Sequence, residues 1–321
     1  MRLGEQKVVD FHCDALSKMQ EMPDIVFEDD LRLDVTAKRM AEGRVALQCF
    51  AIYLSAKRGR PRFEDVLGQI DCYRRSVIGV GGLQWLRWKE ETEKIGKDAL
   101  RWGMLSLEGL DGLEGNLFYA QLCFELGVRM MGVTWNYANW AADGVLEPRN
   151  GGFTDKGRKF VEWCNESGML LDVSHLSPAG FWELVELSQR PFIASHSNAA
   201  AVCNHPRNLS DEQLTALIEM DGRVGLTFVP WFVREGGEVT SEGLLQHIDH
   251  ICGLGGEKQI MFGSDFDGID SWVKGLEHSG KYSDFAELLL RYYPEESVKS
   301  WLFDNALGFL GSHLPAKASQ P

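Results

Sequence analysis

The sequence predicts an α/β fold, built as one closed (β/α)8 barrel over residues 1–321. Eight short apolar runs, rich in Val, Ile, Phe and Leu, are bounded by glycine or polar residues, as buried parallel strands are. Amphipathic stretches of helical length separate these runs, and such an alternation closes into a barrel. An open doubly wound sheet is the alternative, but "HCDALSKM" after the first run lacks the glycine-rich loop typical of that fold.

The apolar runs define the expected strands in chain order, which cover residues 7–12, 45–54, 103–109, 128–135, 168–175, 191–196, 223–230 and 259–265. The clearest helical stretches cover residues 155–167, 177–189, 210–222 and 242–256. Ser177 and Ser210 are good N-terminal caps, so they predict the starts of two of these helices. Gly168 predicts the end of another, because glycine readily adopts the left-handed conformation that closes a helix.

Two segments depart from this alternation. Residues 58–101 are expected to form a helical insertion that contains the Trp-rich stretch "LQWLRWKEE". We interpret its tryptophans as helix packing or as a contact in a homodimer. The polar residues after about position 314 are expected to fray.

Composition narrows the range of partners. The formal net charge of -14 argues against nucleic acid and against an anionic membrane surface, since both are bound by basic patches. No signal peptide precedes the first strand, and no apolar run reaches the roughly 18 residues expected of a membrane span. None of the seven cysteines forms a CxxC pair, which favours reduced thiols and a cytoplasmic location.

Polar and ionisable residues follow the predicted strands at the points where they end. The C-terminal ends of barrel strands meet at one rim, so residues distant in the chain become neighbours there. Ionisable groups are rarely buried unless they are paired or bound to metal, so we expect one shared site. The residues at these strand ends are His12, Asp14, Glu108, Trp135, Asn136, His175, His196, Asp265 and Asp267.

Imidazole and carboxylate ligands without thiolate favour Zn²⁺ or a similar divalent cation. His12 and Asp14 are two residues apart on one face of an extended segment, so both can reach one ion. His175 and His196 are able to hold a second ion, with Glu108 between the two. Taken singly, each residue has another interpretation: a His-x-Asp pair on the surface or in a cap, and histidines satisfied within the core.

The motifs resemble those of the membrane (renal) dipeptidase family, zinc peptidases whose fold is an amidohydrolase-like (β/α)8 barrel of the metal-dependent hydrolase type. The resemblance covers about residues 8–310 and indicates a bacterial-type, intracellular member. Its elements are "DFHCD", "LEG", "GFTDKGRKFVEWCNESGMLLDVSHLS", "IASHSNAAAVCNHPRNLSDEQL", "HIDHI" and "GSDFDG".

The resemblance implies two zinc ions bridged by Glu108 and a hydroxide, with further ligands from His12, Asp14, His175 and His196. It implies that Asp265 is the acid–base residue and that Arg207, in "HPRN", binds the substrate carboxylate. Many members carry a histidine where this chain has Trp135, which donates only through its indole N–H. Trp135 and the adjacent Asn136 are therefore expected to contact substrate, while the altered position leaves substrate range open.

The resulting hypothesis is a dizinc dipeptidase that hydrolyses dipeptides, including those with a C-terminal D-residue. One alternative is a metal amidohydrolase acting on another small amide or a lactone. Another is a metal-binding homologue in which Trp135 marks impaired catalysis. His247 and His250 lie on a predicted outer helix and are interpreted as structural.

Overall fold

The computed structural model describes residues 6–55, 59–97 and 99–317. All strand pairings within the sheet are parallel. The strands are β1 (Val8–Asp10), β2 (Val45–Tyr53), β3 (Leu83–Trp85), β4 (Arg101–Glu108), β5 (Val128–Gly132), β6 (Leu170–Asp172), β7 (Ile193–Ala194), β8 (Arg223–Leu226) and β9 (Ile260–Phe262).

Eight of these strands close a cylinder in the order β1, β2, β4, β5, β6, β7, β8, β9. The closing contact joins β1 to β9 through Asp10 and Phe262, and β2 pairs with β4 from Leu47 to Tyr53. The predicted (β/α)8 barrel is therefore confirmed. The open doubly wound sheet is excluded, because β2 and β4, which would lie at opposite ends of such a sheet, pair with each other.

Helices follow the strands and cover the outside of the cylinder. They are α1 (Ala15–Glu21), α2 (Ala37–Glu42), α3 (Phe63–Cys72), α4 (Lys89–Thr92), α5 (Leu117–Glu125), α6 (Asp155–Ser167), α7 (Pro178–Leu187), α8 (Asp211–Glu219), α9 (Pro230–Val233), α10 (Gly243–Gly253), α11 (Tyr282–Tyr292), α12 (Glu295–Lys299) and α13 (Asn305–His313).

The predicted helix boundaries have visible causes. The hydroxyl of Ser177 accepts the N–H of Gly180 at the start of α7, and that of Ser210 accepts the N–H of Gln213 at the start of α8. Gly168 adopts a left-handed φ of 78° and ends α6 as predicted.

The helical prediction for residues 58–101 is wrong over its Trp-rich part. Leu83–Trp85 is a strand that pairs with Arg101–Gly103, below the point where β5 joins β4. Leu83 is buried, and both Gln84 and Trp85 are half-buried. Trp85 packs edge-on against Tyr73 within the same chain. Residue 58 itself lies outside the described residues.

The C-terminal helix closes the N-terminal end of the barrel. Phe309 and Leu310 of α13 pack with apolar side chains inside the cylinder, such as Met104 and Met261. Leu314 belongs to the same cluster and is buried, so the expected fraying does not begin at position 314. The expected ends of the domain at residues 1 and 321 lie outside the described residues. Among the described residues, none of the helices has the length and apolarity that crossing a bilayer requires.

Candidate metal centre and active site

The C-terminal rim of the barrel brings together six predicted side chains that are up to 253 positions apart. Candidate ligand atoms fall into overlapping groups of three whose members lie within 4.8 Å of one another. The groups are His12, Asp14 and Glu108; Glu108, His175 and His196; and His12, His196 and Asp265. The third group means that Asp265 also lies within reach of a cation.

Glu108, at the end of β4, stands between the other ligands. Its Oε1 lies 2.9 Å from His175 Nε2 and 3.7 Å from His196 Nε2. Its Oε2 lies 3.5 Å from His12 Nε2, which is in turn 3.4 Å from Asp14 Oδ2. The two oxygens of one carboxylate therefore face two separate sets of ligands.

His175 and His196 point their Nε2 atoms at one another, 2.8 Å apart. The other ring nitrogen of each has a polar partner: His175 Nδ1 contacts Asn136 Oδ1 at 2.7 Å, and His196 Nδ1 contacts Ser195 Oγ at 2.7 Å. If each Nδ1 carries the proton, both Nε2 lone pairs face the same space. Two lone pairs at this distance repel unless a positive charge lies between them.

Within the part of the chain that the structure describes, the opposite side of Glu108 contains buried atoms without a hydrogen-bond partner. They are both ring nitrogens of His12 and Oδ1 of Asp14, and both residues are at least 95% buried. Buried polar groups nearly always have partners, and an unsatisfied one calls for a missing ion or water. The donor set of imidazoles and carboxylates therefore fits divalent cations on both sides of Glu108.

Electrostatics lead to the same conclusion. Burial lowers the pKa of His175 to about 4 and that of His196 well below its usual value, so both rings are neutral at neutral pH, as metal ligands must be. Burial also acts to lower the pKa of His12, but Glu108 and Asp14 outweigh it and raise this pKa well above its usual value. The carboxylates therefore draw positive charge into the space that they share with His12.

Asp265 follows β9 and faces His12, with Oδ1 3.7 Å from His12 Nε2. Burial, reinforced by the charges of Asp14 and Glu108, raises the pKa of Asp265 well above its usual value. Its backbone has a left-handed φ of 65°, which is uncommon outside glycine and costs free energy. His175 adopts a similar φ of 72°. The fold therefore tolerates strain at both residues.

Gly268 approaches two site carboxylates more closely than any other residue type could. A Cβ at this position would lie 2.3 Å from Asp14 Oδ2 and 2.6 Å from Asp265 Oδ1. The adjacent Asp267 accepts the backbone N–H groups of Asp34 and Val35, which holds the loop against the β1 side of the barrel. Asp267 thus supports the loop through the backbone.

Arg207 is buried beside the metal centre with only 5% of its surface exposed. Its contacts are long, 3.5 Å from Nη1 to Ser197 Oγ and 3.3 Å from Nη2 to the His196 carbonyl, and its Nε has no partner. Burial lowers its pKa to about 10, so the guanidinium remains charged at neutral pH. It lines a cavity of about 370 Å³ together with His175 and Val145. An incompletely paired cation in such a cavity suits a carboxylate ligand.

The two remaining predicted residues lie next to His175. The Trp135 ring stands between His175 and Tyr53, at centroid distances of 6.2 and 5.4 Å. The Asn136 amide contacts the His175 ring, so its contact is with a candidate ligand and the predicted substrate contact is untested. His247 is buried on α10, where both of its nitrogens bind backbone groups, in keeping with a structural role.

Sequence reasoning passed over Asp172, Ser195 and Gly268. Asp172 lies three residues before His175 in "DVSH", Ser195 lies directly before His196 in "IASH", and both are buried. A polar residue preceding a ligand at a strand end is the signal that could have identified them. For Gly268 no such signal exists, because its importance lies in the space around it.

Three kinds of similarity bear on this site. Residues 3–317 match the membrane dipeptidase family, peptidase family M19. The dipeptidase tcpJ of Claviceps purpurea is 27% identical over 337 residues, covering 99% of this chain and 79% of that protein. The dipeptidase aclJ of Aspergillus oryzae is 35% identical over 282 residues, covering 82% of this chain and 65% of that protein.

Solved structures of metallopeptidases have the same fold. The dipeptidase AC, a metallo peptidase, superposes with a TM-score of 0.89 and is 28% identical, with 97% of this chain and 100% of that chain covered. A metallo peptidase from Rhodobacter sphaeroides, liganded with a phosphinate mimic of the dipeptide L-Ala-D-Ala, gives a TM-score of 0.87 at 27% identity, with 96% and 99% covered.

Proposed function

The chain belongs to the membrane dipeptidase family, peptidase family M19, and from this premise we propose that it hydrolyses the peptide bond of dipeptides at the C-terminal rim of the barrel. The observation that carries the proposal is the position of Glu108. Its two oxygens face different imidazoles, His175 at 2.9 Å and His12 at 3.5 Å. Such a carboxylate suits a site that holds two cations side by side.

In this proposal the cations are two Zn²⁺ ions, for which the nitrogen and oxygen donors are suited. Glu108 is shared, and the other ligands are His12 and Asp14 on one side and His175 and His196 on the other. When bound, the pair of cations would activate a water near neutral pH and would polarise the carbonyl of the scissile bond.

Asp265 is the proposed acid–base residue. Burial raises the pKa of its carboxyl, which favours the protonated form that an acid catalyst requires. Transfer of that proton to the leaving nitrogen lets the amine depart uncharged. The strained backbone at Asp265, and the close approach of Gly268, support the view that the carboxyl is held in one orientation.

Arg207 is the proposed anchor for the C-terminal carboxylate of the substrate. It lines the same cavity as His175, so a molecule bound there would reach both the Arg207 guanidinium and the metal ligands. A fixed distance between anchor and reaction centre favours dipeptides over longer chains. Trp135 is proposed to line the substrate site beside His175.

We further propose that dipeptides with a C-terminal D-residue are accepted. The support is the similar Rhodobacter sphaeroides peptidase, whose structure holds a mimic of L-Ala-D-Ala. A reducing compartment such as the cytoplasm is also proposed, because all seven cysteines are unpaired.

Metal analysis combined with a substrate panel tests the function. The purified full-length chain is expected to contain about two divalent ions and to hydrolyse L-Ala-L-Ala and L-Ala-D-Ala. Each dipeptide is compared with its C-terminal amide, which should react at least about 10-fold more slowly because a charged hydrogen bond to Arg207 is lost. Chelated protein, before and after restoring Zn²⁺, is the control.

The panel also separates the alternatives. Equal rates for acids and amides, or preference for a lactone, would favour an amidohydrolase without a free-carboxylate requirement. Bound metal with no turnover on any dipeptide would instead indicate a metal-binding homologue with impaired catalysis.

A further inference from the structure

Behind His196, a short chain of hydrogen bonds leads to a buried carboxylate. Ser195 Oγ lies 2.7 Å from His196 Nδ1 and 2.5 Å from Asp172 Oδ2. Ser195 is fully buried and Asp172 is 4% exposed, so bulk water does not compete for these contacts. Neither Ser195 nor Asp172 belongs to the candidate ligand groups.

The directions of these hydrogen bonds follow from proton counting. Asp172 also accepts the backbone N–H groups of Ser195 and Ser174 at 2.8 and 3.0 Å, so three donors converge on it, as expected of an ionised carboxylate. A serine hydroxyl has one proton, and if that proton goes to Asp172, Ser195 Oγ is left to accept from His196. His196 Nδ1 must then be the protonated nitrogen.

We propose that Asp172 and Ser195 are positioning residues that fix the tautomer and orientation of His196, so that its Nε2 lone pair faces the cation position shared with His175 and Glu108. The inference rests on the metal centre of the proposed function. It assigns to His196 a serine-mediated contact with a carboxylate, whereas His175 is held directly by the amide of Asn136.

A contrast within the site supports this assignment. Nδ1 of His12 has no partner, so nothing comparable selects its tautomer. The His196 ring cannot readily turn to another partner, because Ser174 Oγ accepts its backbone N–H at 3.0 Å and the ring lies 3.8 Å from that of His12. With the ring held in place, the hydroxyl at Nδ1 selects which ring nitrogen carries the proton.

The test measures cation affinity and does not depend on turnover. Metal-free full-length protein is titrated calorimetrically with Zn²⁺, and Co²⁺ spectra report the ligand environment. Ser195→Ala should weaken one binding event by about 10–100-fold, the loss typical of an outer hydrogen-bond partner. Asp172→Asn should act in the same direction, because an amide N–H facing Ser195 Oγ would turn the hydroxyl proton toward His196. Ser279→Ala removes another fully buried hydroxyl, which donates to the Asp34 carbonyl, and should leave both events unchanged.

Each outcome decides the matter. The proposal is overturned if the Zn²⁺ affinity of Ser195→Ala lies within about twofold of that of the parent. It is also overturned if only Asp172→Asn weakens Zn²⁺ binding, because Asp172 would then act through the backbone. If Ser195→Ala unfolds, the isosteric Asp172→Asn carries the test, and unchanged affinity there overturns it. If the parent protein binds no divalent cation, the proposed metal centre itself is wrong. The absence of any binding event in the parent distinguishes that failure from a failure of the positioning role.

Discussion

Arg129 at the N-terminal end of the barrel and Arg207 at the C-terminal end are both buried, with 1% and 5% of their surfaces exposed. Burial lowers the pKa of each to about 10, so both are charged at neutral pH. Arg129 donates to the carbonyls of Arg87, Phe124 and Val128 at 2.6–2.8 Å. Among the described residues, the Arg207 guanidinium has an unpartnered Nε and makes no hydrogen bond shorter than 3.3 Å.

The same difference separates two buried histidines. His247 on α10 accepts the N–H of Ala199 at Nδ1 and donates to the Val233 carbonyl from Nε2, whereas neither nitrogen of His12 has a partner. Complete pairing indicates a group that stabilises the fold. Incomplete pairing of an ionisable group at the C-terminal rim, at equal burial, is expected of a group whose partner arrives as a ligand.

The largest expected effect is on kcat, when a carboxylate at the C-terminal end of the barrel is replaced and compared with one at the N-terminal end. Asp265→Asn should keep the metal content while kcat falls by roughly 10²–10⁴-fold, because a positioned proton donor is lost. The control is Asp221→Asn before β8, which also has a positive φ, 54°, and pairs with Arg223 at 2.8 Å. It should leave kcat unchanged. Metal loss in Asp265→Asn would make Asp265 a ligand, and an unaltered kcat would remove its acid–base role.

Two glycines provide the next comparison. Gly268→Ala should lower kcat by about 10²-fold, since a Cβ there displaces the Asp14 and Asp265 carboxylates and small misplacements are costly in an active site. Gly308→Ala, in α13 at the other end, meets no atom within 4 Å and should stabilise that helix by about 0.5–1 kcal/mol. Steady-state kinetics and denaturant unfolding measure both. Wild-type kcat in Gly268→Ala would mean that the loop adjusts without moving either carboxylate.

The two arginines test the comparison directly. Arg207→Met should raise KM for a free dipeptide by about 10–150-fold, which is the equivalent of losing a charged hydrogen bond of roughly 1.5–3 kcal/mol. It should have little effect on the free energy of unfolding. Arg129→Met should leave KM unchanged but lower the free energy of unfolding by at least about 1–3 kcal/mol, because three carbonyls lose their donor. If Arg207→Met lowered stability and Arg129→Met raised KM, the completeness of hydrogen bonding would not distinguish a functional arginine from a stabilising one.

The last comparison concerns a pH dependence of stability at His247, of which only the part between pH 7 and pH 4.5 is measured. Burial lowers its pKa to about 4 from the usual 6.5, so between these values the unfolded chain binds a proton that the folded chain does not. Stability should therefore fall as pH falls through this range, by about 3 kcal/mol in total, given about 1.36 kcal/mol per unit. Urea unfolding of chelated protein at pH 7 and pH 4.5 should show a smaller loss for His247→Gln than for the parent. An equal loss would assign the acid sensitivity to other groups.

The local sequence determined much of this protein. Alternating apolar and amphipathic runs specified the barrel, because parallel strands and crossover helices bury those patterns with few other arrangements. The strand ends then placed His12, Glu108 and His196 on one rim, since every parallel strand of a barrel ends on the same side. The cap at Ser177 was readable for the same reason, because it depends only on neighbours in the chain.

Tertiary structure decided what depends on space between distant segments. Leu83–Trp85 forms a strand because β5 leaves one edge of β4 open at Arg101–Gly103, and contact with that edge overrides the local pattern. Gly268 is constrained by two carboxylates from opposite ends of the chain, and the proton order along Asp172, Ser195 and His196 exists only once β6 and β7 lie side by side. Residue type limits which chemistry is available, but distances and the pairing of buried atoms determine which groups remain free for a ligand.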